Sequence, residues 1–337
     1  MAGHMSFPEP PNIFSSWYPI GIAVIAGVLY ALRQWFRGPQ YIATTKLKGK
    51  TVIVTGANTG IGFAVAVDMA TRGARVFLVC RDEAKGKAAE EEIRKATDNM
   101  NVIFMKCDLA SFKSIREFVE NFKKKEEKLD ILINNAGVMM CAEGETEDKF
   151  ETQFGVNYLG TFLLTELLLD LLKASPSARI VNTSASASNL GKINFDDINM
   201  KEDYTPGQAF AQSKHAVDMY SIKLAERLKG TKVTVATVNP GIVNSTGLRH
   251  LPMKTSSFLR LSLGLPIWFM LKTSADGAHT TVYAAVENKL EGVSGRRYKD
   301  CQDIKFDDNT KDEEFCNKLY EKTLEWTGLK KARSEIE

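Results

Sequence analysis

The sequence predicts an α/β fold: a doubly wound parallel sheet preceded by one N-terminal transmembrane helix. Three observations carry this. From residue 51 onward, short β-branched runs alternate with amphipathic stretches of helix length, the pattern of a parallel sheet covered on both faces. The first run ends in Thr55-Gly56-Ala57-Asn58-Thr59-Gly60-Ile61-Gly62, a glycine-rich turn between strand and helix. Ahead of the sheet lies Ile13 to Leu32, a stretch with no charged residue.

That apolar stretch is long enough for a helix to cross a hydrocarbon core of roughly 30 Å. Trp17 and Tyr18 lie near one end and Trp35 just past the other, where interfacial aromatics belong. The alternatives are a cleaved signal peptide and a buried core helix. A signal peptide carries its basic residues in front; here Arg33, Arg37, Lys46, Lys48 and Lys50 follow. An uncleaved anchor at 13–32 is therefore expected, with the folded domain on the cytoplasmic side. Residues 1–12 read as a tail whose Gly3-His4-Met5 start also fits a cloning remnant. Residues 33–49 read as a polar linker and residues 50–337 as one catalytic domain, with no internal repeat.

The elements follow in order. Thr51 to Thr55 is the first strand and Gly60 to Thr71 its helix. Arg75 to Cys80 is a second strand, Asp82 to Ala96 a charged surface helix, Val102 to Cys107 a third strand and Ser111 to Lys125 an amphipathic helix. Ile131 to Ile133, a helix around Phe150 to Leu172, Arg179 to Thr183, the helix carrying Lys214, and Val233 to Val238 complete six strands. Net charge is only +3, with no basic tract beyond Lys123-Lys124-Lys125, so a nucleic-acid partner is not suggested. The five cysteines show no close pairing or CxxC, which argues against a disulfide framework and a zinc site and for a reducing compartment.

The glycine turn sets backbone N–H groups and the positive end of a helix where a pyrophosphate would lie. Alone it is a weak signal. Together with Asn134-Asn135-Ala136-Gly137 and Ala209-Phe210-Ala211-Gln212-Ser213-Lys214, it resembles the short-chain dehydrogenase/reductase family. The resemblance covers roughly residues 45 to 330 and implies a Rossmann-type sheet with a nicotinamide cofactor. It implies that Gly56, Asn58, Thr59, Gly60, Ile61 and Gly62 hold the pyrophosphate side. Asp108 and Leu109 would face the adenine, and Asn135, Ala136 and Gly137 the ribose. Pro240, Gly241, Val243 and Ser245 would border the nicotinamide. An acid at the tip of the second strand would select a free 2′-hydroxyl. Cys80 stands there instead, followed by Arg81, whose guanidinium suits a phosphate; the cofactor expected is NADP(H).

The family's reaction centre is an Asn–Ser–Tyr–Lys set, in which tyrosine is the acid/base and serine binds the substrate oxygen. Asn157 and Lys214 match the asparagine and lysine. Phe210 occupies the tyrosine position and Ala185 the serine position, so two hydroxyls are missing. Three readings fit: a chain disabled by substitution, a natural non-catalytic relative that keeps the cofactor fold, or an enzyme with a relocated proton donor. Tyr204, Ser186 and His215 are candidates for that donor.

Leu132 to Met140, Phe154 to Leu164, Ala211 to Lys214 and Tyr283 to Gly295 are similar to the retinol-dehydrogenase branch, including its X-linked member. That branch implies a lipophilic alcohol or aldehyde: a retinoid, steroid or polyisoprenoid. Phe258 to Leu271, with Arg260 its only charge, reads as an apolar lid or an interfacial segment, with a core helix as the alternative. The partners implied are a lipophilic substrate, a membrane and at most a second copy as a homodimer. The default membrane is the endoplasmic reticulum, with mitochondrial and lipid-droplet surfaces as alternatives.

Overall fold

The computed structural model describes residues 17–42, 44–244, 269 and 271–330. Among these, eight strands form one sheet in the order β3-β2-β1-β4-β5-β6-β7-β8. β1 (Thr51–Thr55), β2 (Arg75–Cys80), β3 (Val102–Lys106), β4 (Ile131–Asn134), β5 (Ala178–Thr183) and β6 (Val233–Asn239) are the six expected strands. The sequence reading missed β7 (Arg296–Lys299), which pairs parallel to β6, and β8 (Gln302–Ile304), which turns back antiparallel.

Strand side chains alternate between faces, and the sheet is buried on both. Ile53, Phe77 and Leu132 join one core layer with Phe154, Tyr158 and Phe162. Val52, Val54 and Ile131 join the other with Val65, Met69 and Val282. The helices supplying these layers are α2 (Gly60–Thr71), α3 (Glu83–Thr97), α4 (Phe112–Lys123), α5 (Thr152–Phe154), α6 (Thr161–Leu167), α7 (Leu169–Ala174), α8 (Pro206–Arg227), α9 (Ser274–Val286) and α10 (Glu313–Trp326). The single helix expected around 150–172 is broken: a π-helical turn, Gly155–Gly160, separates α5 from α6.

The first helix, α1 (Tyr18–Arg37), begins with Pro19 in its first turn and ends where Gly38 adopts φ +75°. It buries no residue and is long and apolar enough to cross a membrane. It runs five residues past Leu32, because arginines in a last turn favour the helix's negative end. Residues 13–16 of the expected span lie outside the described residues.

Strand order reverses between β1 and β4, whose C-terminal ends lie side by side. This switch point is where ligands of such sheets bind.

Candidate active site

A cleft of about 450 Å³ opens at that switch point, lined by Gly56, Asn58, Thr59, Gly60 and Ile61 after β1, Cys80 and Arg81 after β2, Asp108 and Leu109 after β3, and Asn135, Ala136 and Gly137 after β4. Its floor is a stitch between two strand tips. Asn135 N and Ala136 N each donate to Thr55 Oγ1 at 2.9 Å, and Asn135 Nδ2 donates to Thr55 O at 3.0 Å. Gly56 has φ +67°, and a Cβ there would sit 2.9 Å from Ala136 Cα. A Cβ on Gly62 would overlap the Gly56 carbonyl oxygen and come 2.5 Å from Asn135 Nδ2. The backbone is thus drawn in as a dinucleotide cradle requires, and added side chains would fill it.

Asp82 at the β2 tip is committed elsewhere. It caps α3 by accepting from Lys85 N at 3.0 Å, and its carboxylate pairs with Lys85 Nζ at 3.2 Å. That backbone bond, then the lysine ammonium, holds the Asp82 carboxyl below its usual range. Arg81 is exposed at the cleft wall and makes no ion pair among the described residues. Lys85, also on the wall, went unnoticed in the sequence although it stands four residues after Arg81 at a helix start. The wall beside the β2 tip thus carries Arg81 together with the Lys85–Asp82 pair. The Cys80 thiol in the same wall is pushed up to about 11 by burial, so it is an inert lining.

Asn157 and Lys214, expected at the reaction centre, meet at the Gly137 end. A Cβ on Gly137 would lie 3.0 Å from Asn157 Oδ1 and 3.6 Å from Lys214 Nζ. Asn157 sits inside the π turn, a feature often found at functional sites. Its Oδ1 accepts from Val138 N at 2.8 Å, and its Nδ2 donates to Val138 O and to Ser213 Oγ, both at 2.9 Å. Gly160 closes the turn because a side chain there would overlap the Leu109 carbonyl. Lys214 is buried on α8 and donates to Thr183 O at 2.7 Å. Burial pulls its ammonium down to about 8. Its Nζ lies 5.9 Å from the centroid of the Phe210 ring.

Ala185 follows β5 after Ser184, and its carbonyl accepts from Arg297 Nη2 at 3.1 Å, a contact with no sequence signal. The three substitute donors are engaged elsewhere. Tyr204 Oη donates to Cys141 O at 2.9 Å and accepts from Gln153 Nε2 at 3.2 Å; burial pushes it up to about 12. Ser186 Oγ accepts from Asn239 Nδ2 at 2.8 Å. His215 Nδ1 bonds Ser188 O at 3.0 Å, and burial lowers its pKa. None of the three is hydrogen-bonded to Lys214 among the described residues.

Pro240 and Gly241 follow β6, with Gly241 at φ +79° and its N–H on Asn239 Oδ1 at 3.0 Å. Val243 is buried and bridges to Lys272. Ser245 lies outside the described residues, as does the apolar segment 258–271 apart from Phe269 and Leu271.

Residues 50–255 match the family model for short chain dehydrogenases. Retinol dehydrogenase 12 of Homo sapiens is 43% identical over 300 residues, covering 89% of this chain and 93% of that protein. Retinol dehydrogenase 11 of Homo sapiens is 41% identical, with 93% and 98% covered. Among solved structures, an uncharacterized protein from Mycobacterium paratuberculosis superposes with TM-score 0.70 at 29% identity, over 86% of this chain and 98% of its own. A short chain dehydrogenase from Escherichia coli CFT073, solved with NADPH, shares the fold with TM-score 0.61 at 24% identity over 77% and 99%.

Proposed function

Because this chain belongs to the short-chain dehydrogenase family, whose members use NAD(P)(H), we propose that it binds NADP(H) in the cleft and offers it to a lipophilic alcohol or aldehyde. Retinoids are the first substrate class, since the relatives are named retinol dehydrogenases; steroids and polyisoprenoids share the required chemistry. The preference for the phosphorylated cofactor rests on Arg81 and Lys85 flanking a strand tip whose only acid is used as a helix cap. We read α1 as the anchor, 33–49 as the connection and 50–337 as the catalytic domain. It would face the cytoplasm on an endoplasmic-reticulum membrane, with the likeness to the X-linked member part of the same proposal.

The bound cofactor supplies or accepts the hydride; this chain's residues must move a proton to or from the substrate oxygen. Gly56, Asn58, Thr59, Gly60, Ile61 and Gly62 would seat the pyrophosphate side, with Asp108, Leu109, Asn135, Ala136 and Gly137 along the adenosine half. Pro240, Gly241, Val243 and Ser245 would lie at the nicotinamide. Asn157 and Lys214 hold their places, but Phe210 and Ala185 carry no hydroxyl. One observation carries the reading: Lys214 Nζ faces a phenyl ring that has no proton to give. Turnover is therefore impaired in this chain, by roughly 10²–10⁴, the contribution of a positioned acid/base.

The test is hydride transfer to retinal-like and polyprenal-like aldehydes, in this chain and in the Ala185→Ser/Phe210→Tyr double variant. The double variant should be faster by that factor. Equal rates would remove the assignment of both positions. A non-catalytic NADP(H)-binding protein, or one that carries a lipid on the same scaffold, is the second reading, favoured by the same missing hydroxyls. It would show an NADPH-dependent rise in Tm with no turnover in either chain.

A further inference from the structure

The last turns of α1 and the first residues of the expected polar linker are fastened to the rest of the domain at several points. Arg33 Nη1 donates to Phe269 O at 2.9 Å and Leu271 O at 3.0 Å. Arg37 Nε and Gln40 Nε2 both donate to Asp276 Oδ1 at 3.0 Å. Gln40 Oε1 also meets His279 Nε2 at 2.8 Å. Between them Gly38 turns with φ +75°, where a Cβ would lie 2.9 Å from Lys272 Nζ.

What these residues hold is the flank of the cleft. Asp276 is buried and shares a capping box with Thr273 at the start of α9. Burial alone would raise its carboxyl, but bonds from Thr273, Gln40 and Arg37 outweigh that and hold it at about 2. Four residues earlier, Lys272 binds the chain after β6: its N–H donates to Ile242 O at 3.0 Å, and its carbonyl accepts from Asn244 N at 2.8 Å. One residue after Asp276, Gly277 leaves room for two side chains; a Cβ there would lie 2.6 Å from Val243 Cγ2 and 3.3 Å from Ile61 Cγ1. Ile61 lines the cofactor cleft. An unbroken row of contacts thus runs from the end of the anchor, through Asp276 and Gly277, to Val243 and Ile61.

We propose that Arg33, Arg37 and Gln40 are positioning residues: they form a strap by which the seating of α1 in a bilayer sets the 242–244 loop beside the cofactor cleft. The proposal rests on reading α1 as a membrane anchor and the cleft as the NADP(H) site. Coupling of this kind needs packed elements in direct contact, and the strap supplies them over a short distance. On this reading the aqueous end of α1 meets the chain at Phe269 and Leu271, next to the Lys272 backbone that holds the 242–244 loop. The lipid partner is the bilayer receiving α1, whose large apolar residues, Ile20, Val24, Ile25 and Val28 among them, are exposed.

The experiment uses the full chain in phosphatidylcholine nanodiscs. Parent, Arg33→Gln/Arg37→Gln, Gln40→Ala and the conservative Arg37→Lys are compared by amide hydrogen exchange and by NADPH titration. The double variant should exchange faster at 242–244 and 271–277 while α4 and β3 are unchanged. It should also bind NADPH about tenfold more weakly, a tenfold change corresponding to about 1.4 kcal/mol. Arg37→Lys should recover part of both effects, and Gln40→Ala should show a smaller local change. Unchanged exchange at 242–244 in every variant overturns the strap. Faster exchange across the whole domain overturns it as well, since the residues would then serve general stability. If the parent itself fails to bind NADPH, the cofactor assignment falls, and the exchange data still decide the strap.

Discussion

Arg297 on β7 and Asp218 on α8 lie 3.6 Å apart, Nη2 to Oδ2, with 2% and 1% of their side chains exposed. The same guanidinium holds the turn after β5: Nη1 donates to Asn189 Oδ1 at 2.9 Å, and Nη2 donates to Ser188 Oγ at 2.9 Å and to Ala185 O. Burial raises the Asp218 carboxyl, and Arg297 opposes that. One buried cation therefore sets the backbone of position 185. Removing one partner leaves an uncompensated charge, which typically costs about 3–5 kcal/mol. Arg297→Met should lower the urea midpoint accordingly, and Arg297→Met/Asp218→Leu should recover a large part of that loss. A midpoint unchanged in Arg297→Met would contradict the pairing.

Gly62→Ala forces a Cβ onto the Gly56 carbonyl and Asn135 Nδ2. Neither partner is the free end of a flexible chain, so the β1–α2 turn must move off the β4 tip. We expect destabilisation of about 1–3 kcal/mol, as for overpacking, with loss of the NADPH-induced rise in Tm. A normal NADPH shift in a folded variant would refute the close-approach argument.

Lys214 gives a pH signature. Its folded pKa is depressed from 10.5 to about 8 by burial, so folding strips its proton before unfolding would. Stability should rise as pH climbs from 8 to 10.5, by roughly 3 kcal/mol at 1.36 kcal/mol per pKa unit. Lys214→Met lacks this group. It should exceed the parent in stability below pH 8, and the gap should close toward pH 10.5. Urea unfolding at pH 7 and pH 10.5 checks this; a constant gap would mean the ammonium is better solvated than its surroundings imply.

Arg81→Ala should weaken NADPH while sparing NADH. Charge-assisted bonds contribute about 1.5–3 kcal/mol, so the ratio of the two dissociation constants should shift by roughly 10- to 100-fold. Equal weakening of both cofactors would place Arg81 away from the 2′-phosphate.

Six strands were legible because each is an apolar, β-branched run ending at a turn. β7 and β8 were not: Arg296-Arg297-Tyr298-Lys299 looks like solvated surface, and nothing local reveals that Arg297 finds Asp218 inside the fold. Gly56, Gly60, Arg81, Asp108 and the Asn135-Ala136-Gly137 run were expected at one cleft and do line one, because glycine-rich turns at strand ends leave their mark in sequence. Lys85 was passed over as one charge in a charged helix. Arg37 and Asp276 are 239 residues apart, and no spacing rule links them. The helix at 150–172 was misjudged because apolar periodicity does not register one extra residue in a turn.

That extra residue carries a consequence for the length of this segment. A π turn takes up one residue more than an α turn of the same rotation, so the flanking segments stay in phase: Thr165 keeps its Oγ1 on Asn134 Nδ2 at 2.9 Å and Phe162 its place beside Tyr220. Deleting one residue from 155–160 and restoring regular geometry would leave that packing in register but re-aim the residues inside the turn, Asn157 among them, by up to about 100°, the advance per residue of an α-helix. The bulge sets the direction of Asn157 rather than the packing around it, and chain length here is far less negotiable than residue identity.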